Sequence, residues 1–259
     1  MQDALVRSDP PAFDDLATWT GSIVRHPDGT WHLFYTGATL RDGSNVQSIG
    51  HATSVDLMTW ERRGQVLSAG SQWYETLADG QWHDEAFRDP WVFRDGDRWR
   101  MLITARANNG PADDRGVIGT ATSTDLLHWD LEPPLSEPGA GFGQLEVMEE
   151  VEIDASRFLI FNRLANELSE QRRATGTTGG VWAAPACGAR PGHHRWVLDA
   201  AVQLTGDDLY VGRVIRDRSG RTVILAFRNE DSVSGFVGTI TDPAPIRLID
   251  GRPAIVREG

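Results

Sequence analysis

The chain has 259 residues, of which 40% are hydrophobic and 24% charged, a composition typical of a globular protein. Its formal net charge of -12 at pH 7 disfavours nucleic acids and anionic membranes as partners, because both are polyanions. The sequence has no apolar run long enough to span a bilayer and no signal-peptide pattern at its N-terminus, so we expect a cytoplasmic protein.

An internal repeat is the strongest structural signal along the chain. The segment Ile49–Trp60 returns as Ile118–Trp129, with a Ser-x-Asp-Leu turn and a closing tryptophan in both copies. An Asp-Gly turn followed by an alternating hydrophobic strand precedes each copy, at Asp28–Thr36 and at Asp95–Thr104. Each unit therefore predicts a four-stranded antiparallel sheet, and a series of such sheets is typical of a β-propeller.

The repeats predict one all-β domain over residues 1–259, a β-propeller of four-stranded blades. Weaker copies of the hairpin extend the count to four blades, with residues 1–19 as the remnant of a preceding blade. The predicted blades cover about 20–63, 87–132, 143–198 and 207–249. The sequence shows no sustained helical periodicity, although one short helical turn is predicted within 167–173.

Polar and acidic residues cluster where three of the predicted blades begin. The innermost strands of a propeller surround a central channel, so residues at their starts are expected to point into it. The three segments are 14–22, 83–90 and 143–150. The high tryptophan content adds flat apolar faces of the kind that suit sugar rings. We therefore expect a channel that binds carbohydrate.

Four motifs in this order resemble glycoside hydrolase family 32, which contains invertases, levanases, inulinases and related fructosidases. The motifs are Trp-Thr-Gly-Ser at 19–22, His-Leu-Phe-Tyr-Thr-Gly at 32–37, Phe-Arg-Asp-Pro at 87–90, and Glu146 in its blade-opening strand. The resemblance implies a five-bladed propeller, of which this chain holds about four blades. It also implies a retaining hydrolase of fructosyl glycosides, of the sucrose or fructan type, without a cofactor or metal ion.

The resemblance assigns roles to individual residues. Asp89 would be the carboxylate that stabilises the transition state, and Glu146 would be the general acid/base. The residues expected to bind substrate are Trp19, Ser22, Glu85 and Arg88.

The nucleophile of the family normally precedes every segment seen here, so none can be assigned. Asp14 or Asp15 would have to replace it. The alternative function is a non-catalytic carbohydrate-binding propeller or a truncated, inactive homologue. An incomplete propeller would also expose strand edges, which predicts a homodimer through a blade edge.

Two further acids lie close to Glu146. Strand alternation places Glu150 on the same face as Glu146 and Glu149 on the other face. The segment 83–85, His-Asp-Glu, is not expected to bind a metal, because neighbouring strand residues point in opposite directions. It is expected to line the channel or to support Arg88.

Overall fold

The computed structural model describes residues 3–187, 195–231 and 235–256, and regular structure in these ranges is almost entirely β-strand. The strands form four antiparallel sheets that follow one another along the chain. The first sheet contains β1 (Ala17–Arg25), β2 (Trp31–Arg41), β3 (Ser44–Ser54) and β4 (Glu61–Ser68). The second contains β5 (Phe87–Asp95), β6 (Arg98–Arg106), β7 (Gly116–Ser123) and β8 (Asp130–Glu132).

The third and fourth sheets each contain five strands. The third has β9 (Glu146–Ile153), β10 (Ser156–Arg163), β11 (Gly180–Cys187), β12 (Arg195–Trp196) and β13 (Val202–Gln203). The fourth has β14 (Leu209–Arg216), β15 (Thr222–Asp231), β16 (Gly235–Ile240), β17 (Ala244–Ile249) and β18 (Arg252–Ile255). One short helix, α1 (Glu170–Arg173), lies in the loop where the sequence predicts a helical turn.

The four sheets are the blades of a β-propeller, which confirms the predicted fold class. Residues 17–19 belong to β1, so they are part of the first blade and not of a preceding remnant. The third and fourth blades differ from the predicted four strands, because β13 adds to β11 and β16 adds to β15. Within the described ranges, no helix is long and apolar enough to cross a membrane.

The repeated Ser-x-Asp-Leu motif is a turn that side chains hold together. The Ser54 hydroxyl accepts hydrogen bonds from the backbone N–H groups of Asp56 and Leu57, at 3.2 and 2.9 Å. The carboxylate of Asp56 accepts two more from the next N–H groups. Ser123 and Asp125 make the same contacts in the second copy. The motif therefore recurs because it satisfies four backbone donors that no strand can pair.

Hydrophobic side chains fill the spaces between consecutive blades. Three buried clusters join blade one to two, two to three, and three to four. Phe34 and Phe87, from the first two blades, both belong to the first cluster, and Ile160 and Val214, from the last two, both belong to the third. None of these three clusters joins the fourth blade to the first.

Buried polar residues on the second strands fasten each blade to the next. They occupy equivalent positions in the first three blades: Thr36, Thr104 and Asn162. The Thr36 hydroxyl accepts a hydrogen bond from the Asp89 backbone N–H at 2.8 Å. The Thr104 hydroxyl donates to the Leu145 carbonyl at 2.9 Å, and the Asn162 side-chain oxygen accepts from the Gly212 N–H at 3.0 Å. Each contact fixes the start of the following innermost strand.

Each innermost strand has a β-bulge close to its start. The register shifts between Trp19 and Gly21 in β1, between Arg88 and Trp91 in β5, and between Tyr210 and Arg213 in β14. A corresponding shift separates Glu146 from Glu149 in β9. Asp89, Val147 and Val211 lie in these bulges at positive φ of 56°, 49° and 51°. Such bulges re-aim side chains, here at the point where the strands enter the channel.

A pair of buried histidines lies beside the first hydrophobic cluster. His32 Nδ1 and His51 Nε2 are 3.0 Å apart, so one ring must donate and the other accept. Burial lowers the pKa of both rings, that of His51 to about 4. The charged groups around the pair are His26, Asp28 and Arg63.

Acid should destabilise the protein through this pair. The unfolded chain binds a proton on His51 near pH 6.5, whereas the folded chain does so only near pH 4, so stability is lost as the pH falls between these values. The expected slope is roughly 1 kcal/mol per pH unit for one histidine. Urea unfolding of wild type and His51→Phe at pH 7.5, 6 and 5 measures it. The variant should show a flatter dependence, and equal slopes would contradict the assignment.

Candidate active site

Arg88 lies at the centre of a charged cluster to which three blades contribute. Its Nε lies 3.4 Å from Oδ2 of Asp89, and its Nη2 contacts Oε1 of Glu146. Its Nη1 donates to the Gln47 side-chain oxygen at 3.0 Å. The bulges place these groups, since Arg88 and Glu146 hold the same position in β5 and β9. The structure therefore brings together Arg88, Asp89 and Glu146, as the sequence predicts.

Asp89 is almost fully buried, with 5% of its surface exposed. Its Oδ2 accepts hydrogen bonds from the Thr104 hydroxyl at 2.9 Å and from the Val147 N–H at 3.3 Å. Burial raises the pKa of Asp89, and the Glu146 charge acts in the same direction while Arg88 opposes both. A carboxyl in this environment differs from an ordinary surface acid, as expected at a functional site.

Glu146 lies between two guanidinium groups. Arg163 is fully buried, and its Nη1 lies 3.4 Å from the same Oε1 atom that Arg88 contacts. Arg163 also pairs with Glu167. Burial lowers the pKa of Arg163 to about 10, although Glu146 favours its charged form. The Asn162 side chain donates to the Glu146 carbonyl at 3.2 Å, so side chain and backbone of Glu146 are both held.

The two neighbouring acids face other partners. The bulge in β9 breaks the predicted alternation, because Glu146 and Glu149 pair with Asn162 and Ile160, which share a face of β10. The Glu149 Oε2 accepts from the Val214 N–H of the fourth blade at 3.2 Å and lies 3.6 Å from Arg213. Burial raises the pKa of Glu149 to about 7. Glu150 pairs with Arg157 and makes no contact with Arg88. Of these three acids, Glu146 is therefore the one whose carboxylate contacts Arg88.

The other expected substrate-binding residues occupy different places. Trp19 lies near the start of β1, at the position that Arg88 and Glu146 hold in their blades, and 40% of its surface is exposed. The Ser22 hydroxyl accepts from the Val92 N–H at 3.0 Å, so it links two blades.

Glu85 lies outside the Arg88 cluster. Its carboxylate accepts from the Leu77 N–H at 3.0 Å, and its side chain lines a cavity of about 1120 Å³. Neither Asp89 nor Glu146 lines that cavity. The 83–85 segment nevertheless supports Arg88, as expected, because the Glu85 carbonyl holds the Gln47 N–H at 3.2 Å.

Asp14 and Asp15 lie on the far side of the first blade. Asp14 is buried, accepts from the Tyr35 hydroxyl at 2.9 Å and pairs with Arg62. Asp15 accepts from the Thr39 hydroxyl at 2.8 Å. Tyr35 and Thr39 point to the face of β2 opposite Thr36, which contacts Asp89. The structure therefore brings neither acid to Arg88, so neither lies where a hydrolase of four blades would need a replacement nucleophile.

Three residues near the cluster escaped the sequence analysis: Gln47, Arg163 and Arg213. The Arg213 guanidinium lies 4.8 Å from the Trp91 ring centroid, donates to the Met148 carbonyl at 3.2 Å and attracts Asp89 electrostatically. For Arg163 and Arg213 the available signal was a charged residue within an otherwise hydrophobic strand, since arginine is rarely buried unless paired. In the described ranges, His, Cys, Asp and Glu side chains form no group of three or more that could hold a metal ion.

Comparison with known families agrees with this geometry. The family model described as glycosyl hydrolases family 32 N-terminal domain matches residues 4–248. The chain belongs to glycosyl hydrolase family 32. Its sequence is 29% identical to raffinose invertase of Escherichia coli, over 93% of this chain and 49% of that protein. It is 25% identical to sucrose-6-phosphate hydrolase of the same organism, over 81% of this chain and 41% of that protein.

Solved structures of fructosyl-processing proteins share the family 32 fold seen here. The β-fructofuranosidase of Bombyx mori superposes with a TM-score of 0.71 at 21% identity, over 95% of this chain and 51% of that chain. The inulosucrase of Halalkalicoccus jeotgali bound to kestose gives 0.74 at 18% identity, over 95% and 71%. These likenesses show the fold. The chain spans about half the length of the curated relatives that it matches.

Removing the Thr104 hydroxyl tests how firmly the cluster is held. Thr104→Val deletes the hydroxyl whose single proton is shared between Asp89 and the Leu145 carbonyl, so two buried oxygens lose this common partner. We expect a loss of about 1–3 kcal/mol in the free energy of unfolding and a further rise in the pKa of Asp89. Urea unfolding measures the first and carboxyl ¹³C NMR the second. Thr104→Ser keeps the donor and should resemble wild type; a stable Thr104→Val would refute this role.

Proposed function

We propose that this protein hydrolyses fructosyl glycosides with retention of configuration. The observation that carries the proposal is the joining of Asp89 and Glu146 through the single guanidinium of Arg88. Family 32 membership supports it, and so do two relatives whose names describe hydrolysis of raffinose or of a sucrose phosphate. The proposed partner is therefore a carbohydrate substrate.

In this mechanism Glu146 gives a proton to the glycosidic oxygen as the bond to the fructosyl carbon breaks. As that bond breaks, the fructosyl carbon bonds to a nucleophilic carboxylate; Glu146 then takes a proton from a water molecule, which displaces this carboxylate and releases fructose. Asp89 would bind sugar hydroxyls and stabilise the positive charge that develops on the ring. Arg88 would hold both carboxylates in place. The nucleophilic carboxylate of a retaining mechanism is not assigned to any residue of this cluster.

A second candidate function is carbohydrate binding without cleavage. The location of Asp14 and Asp15 on the far side of the first blade favours it, because neither acid can then serve as the nucleophile. Both functions require a sugar in the same channel, and turnover distinguishes them.

The deciding experiment compares wild type with Glu146→Gln on sucrose, levan and inulin. Loss of a general acid/base should lower kcat by about 10²–10⁴-fold. Because the amide retains the shape of the side chain, free fructose should still bind. Glu137→Gln removes an exposed carboxylate elsewhere and should behave as wild type.

The outcomes separate the two functions. Fructose release that depends on Glu146 supports the hydrolase. Binding of sucrose with no release by wild type supports the binding protein. Equal rates for wild type and Glu146→Gln would overturn the role of Glu146.

We also propose that the chain forms a homodimer through the fourth blade. Its outer strands expose Phe236 and Ile240, each at 71%, and no cluster described above packs this blade against the first. Exposed apolar side chains on one sheet favour self-association. Light scattering should give twice the mass of the 28.6 kDa chain, and Phe236→Asp should reduce it to that of one chain. A wild-type monomer at all concentrations would contradict this.

A cytoplasmic location stays a prediction from the sequence.

A further inference from the structure

The loop over residues 80–84 leads into β5 and carries a tryptophan, Trp82, that makes no contact with the Arg88 cluster described above. Trp82 is partly exposed, and the Arg106 guanidinium lies 4.0 Å from its ring centroid. The edge of its ring approaches Gly143, where an added Cβ would lie 3.5 Å from the Trp82 Cη2 atom. Trp82 therefore lies on the loop that leads into the strand of Asp89, and its ring approaches the loop that leads into the strand of Glu146.

The Arg106 guanidinium stacks against this ring and is held by hydrogen bonds from all three of its nitrogens. It is 1% exposed, and its Nε donates to Glu75 at 2.9 Å. Its other two nitrogens donate to the carbonyls of Gly143 and Ala112, at 2.7 and 2.6 Å. Burial lowers the pKa of Arg106 and Glu75 opposes this effect, so the cation is costly to bury but fully paired. A guanidinium held in this way fixes the orientation of the ring that stacks on it.

The neighbouring residues connect the ring to the charged cluster. The exposed His83 ring lies 5.1 Å from Trp82 between centroids. Asp84 accepts a hydrogen bond from the Asn45 N–H at 3.1 Å, and its charge favours the charged form of Arg88. The loop thus carries an aromatic ring and two polar side chains, and one of these, Asp84, acts electrostatically on the arginine that contacts Glu146.

We propose that Trp82 is the platform on which the leaving glycosyl unit of the substrate stacks. This inference rests on the proposed function and extends it, by naming where the sugar beyond the scissile bond binds. Sugar rings carry apolar C–H faces bordered by hydroxyls, and an indole ring flanked by His83 and Asp84 complements both features. Binding on this side of Glu146 brings the glycosidic oxygen towards the group that protonates it. The ligand is therefore a glycoside with a second sugar unit, whereas free fructose makes no contact with Trp82.

The test measures dissociation constants of sucrose and of free fructose in the Glu146→Gln background, where turnover is suppressed. Trp82→Ala should weaken sucrose binding by about tenfold and leave fructose binding unchanged. Trp82→Phe keeps an aromatic face and should recover part of the loss. The matched control is Trp31→Ala, because Trp31 also stacks on an arginine, at 5.3 Å from Arg25, but lies outside this loop. It should change neither constant.

Each result decides the inference separately from the proposed function. An unchanged ratio of sucrose to fructose affinity in Trp82→Ala overturns the platform, even if wild type hydrolyses sucrose. Equal weakening of both sugars also overturns it, since the effect would then be a general disturbance of the channel. Failure of sucrose to bind at all overturns it as well. Conversely, a wild type that binds sucrose through Trp82 without cleaving it supports the platform and refutes the hydrolase.

Discussion

The hydrogen bonds from each blade to the start of the next are the constraint on which the site depends. Thr36 holds the Asp89 N–H, and Thr104 holds both the Asp89 carboxylate and the Leu145 carbonyl. Asp89 and Val147 occupy a left-handed backbone conformation that costs energy outside glycine. The inter-blade contacts stabilise these bulges by satisfying polar groups that the strand ladders leave unpaired. The charged cluster therefore depends on these hydrogen bonds, which hold the start of each innermost strand against the preceding blade.

The charge contacts of the cluster and the raised pKa of Asp89 follow from the same bulges and inter-blade hydrogen bonds. The bulges bring Arg88 and Glu146 to the same level of two adjacent blades, and burial makes their contact strong. Asp89 is enclosed more completely than either partner, so desolvation prevails over the attraction of Arg88 and raises its pKa. Arg163 and Arg213 add positive charge from the third and fourth blades. The paired charges are already held in position, which is the arrangement that the proposed hydrolysis requires, because it lowers the cost of reorganisation.

The fourth blade belongs to the site as well as to the scaffold. Arg213 stacks on Trp91 of the second blade while it pairs with Glu149 of the third. Through these contacts Arg213 joins the second, third and fourth blades. The far face of the first blade is covered differently, by an N-terminal segment in which Phe13 and Asp14 pack against Gly37. Any side chain in place of Gly37 would collide with both residues.

The sequence by itself determined the blades and the order of the motifs. Turn chemistry is local, so the Ser-x-Asp-Leu turns and the Asp-Gly hairpins could be recognised without the fold, and the Arg-Asp-Pro tripeptide pointed to Arg88 and Asp89. Only the tertiary structure decided which other acids join them. Asp15 and Glu85 lie close in sequence to blade starts, yet they face away from Arg88, whereas Arg163 reaches Glu146 from the second strand of its blade. The reason is physical: the direction of a side chain at a strand start depends on the bulge and on the polar partner offered by the adjacent blade, and neither is encoded within one segment.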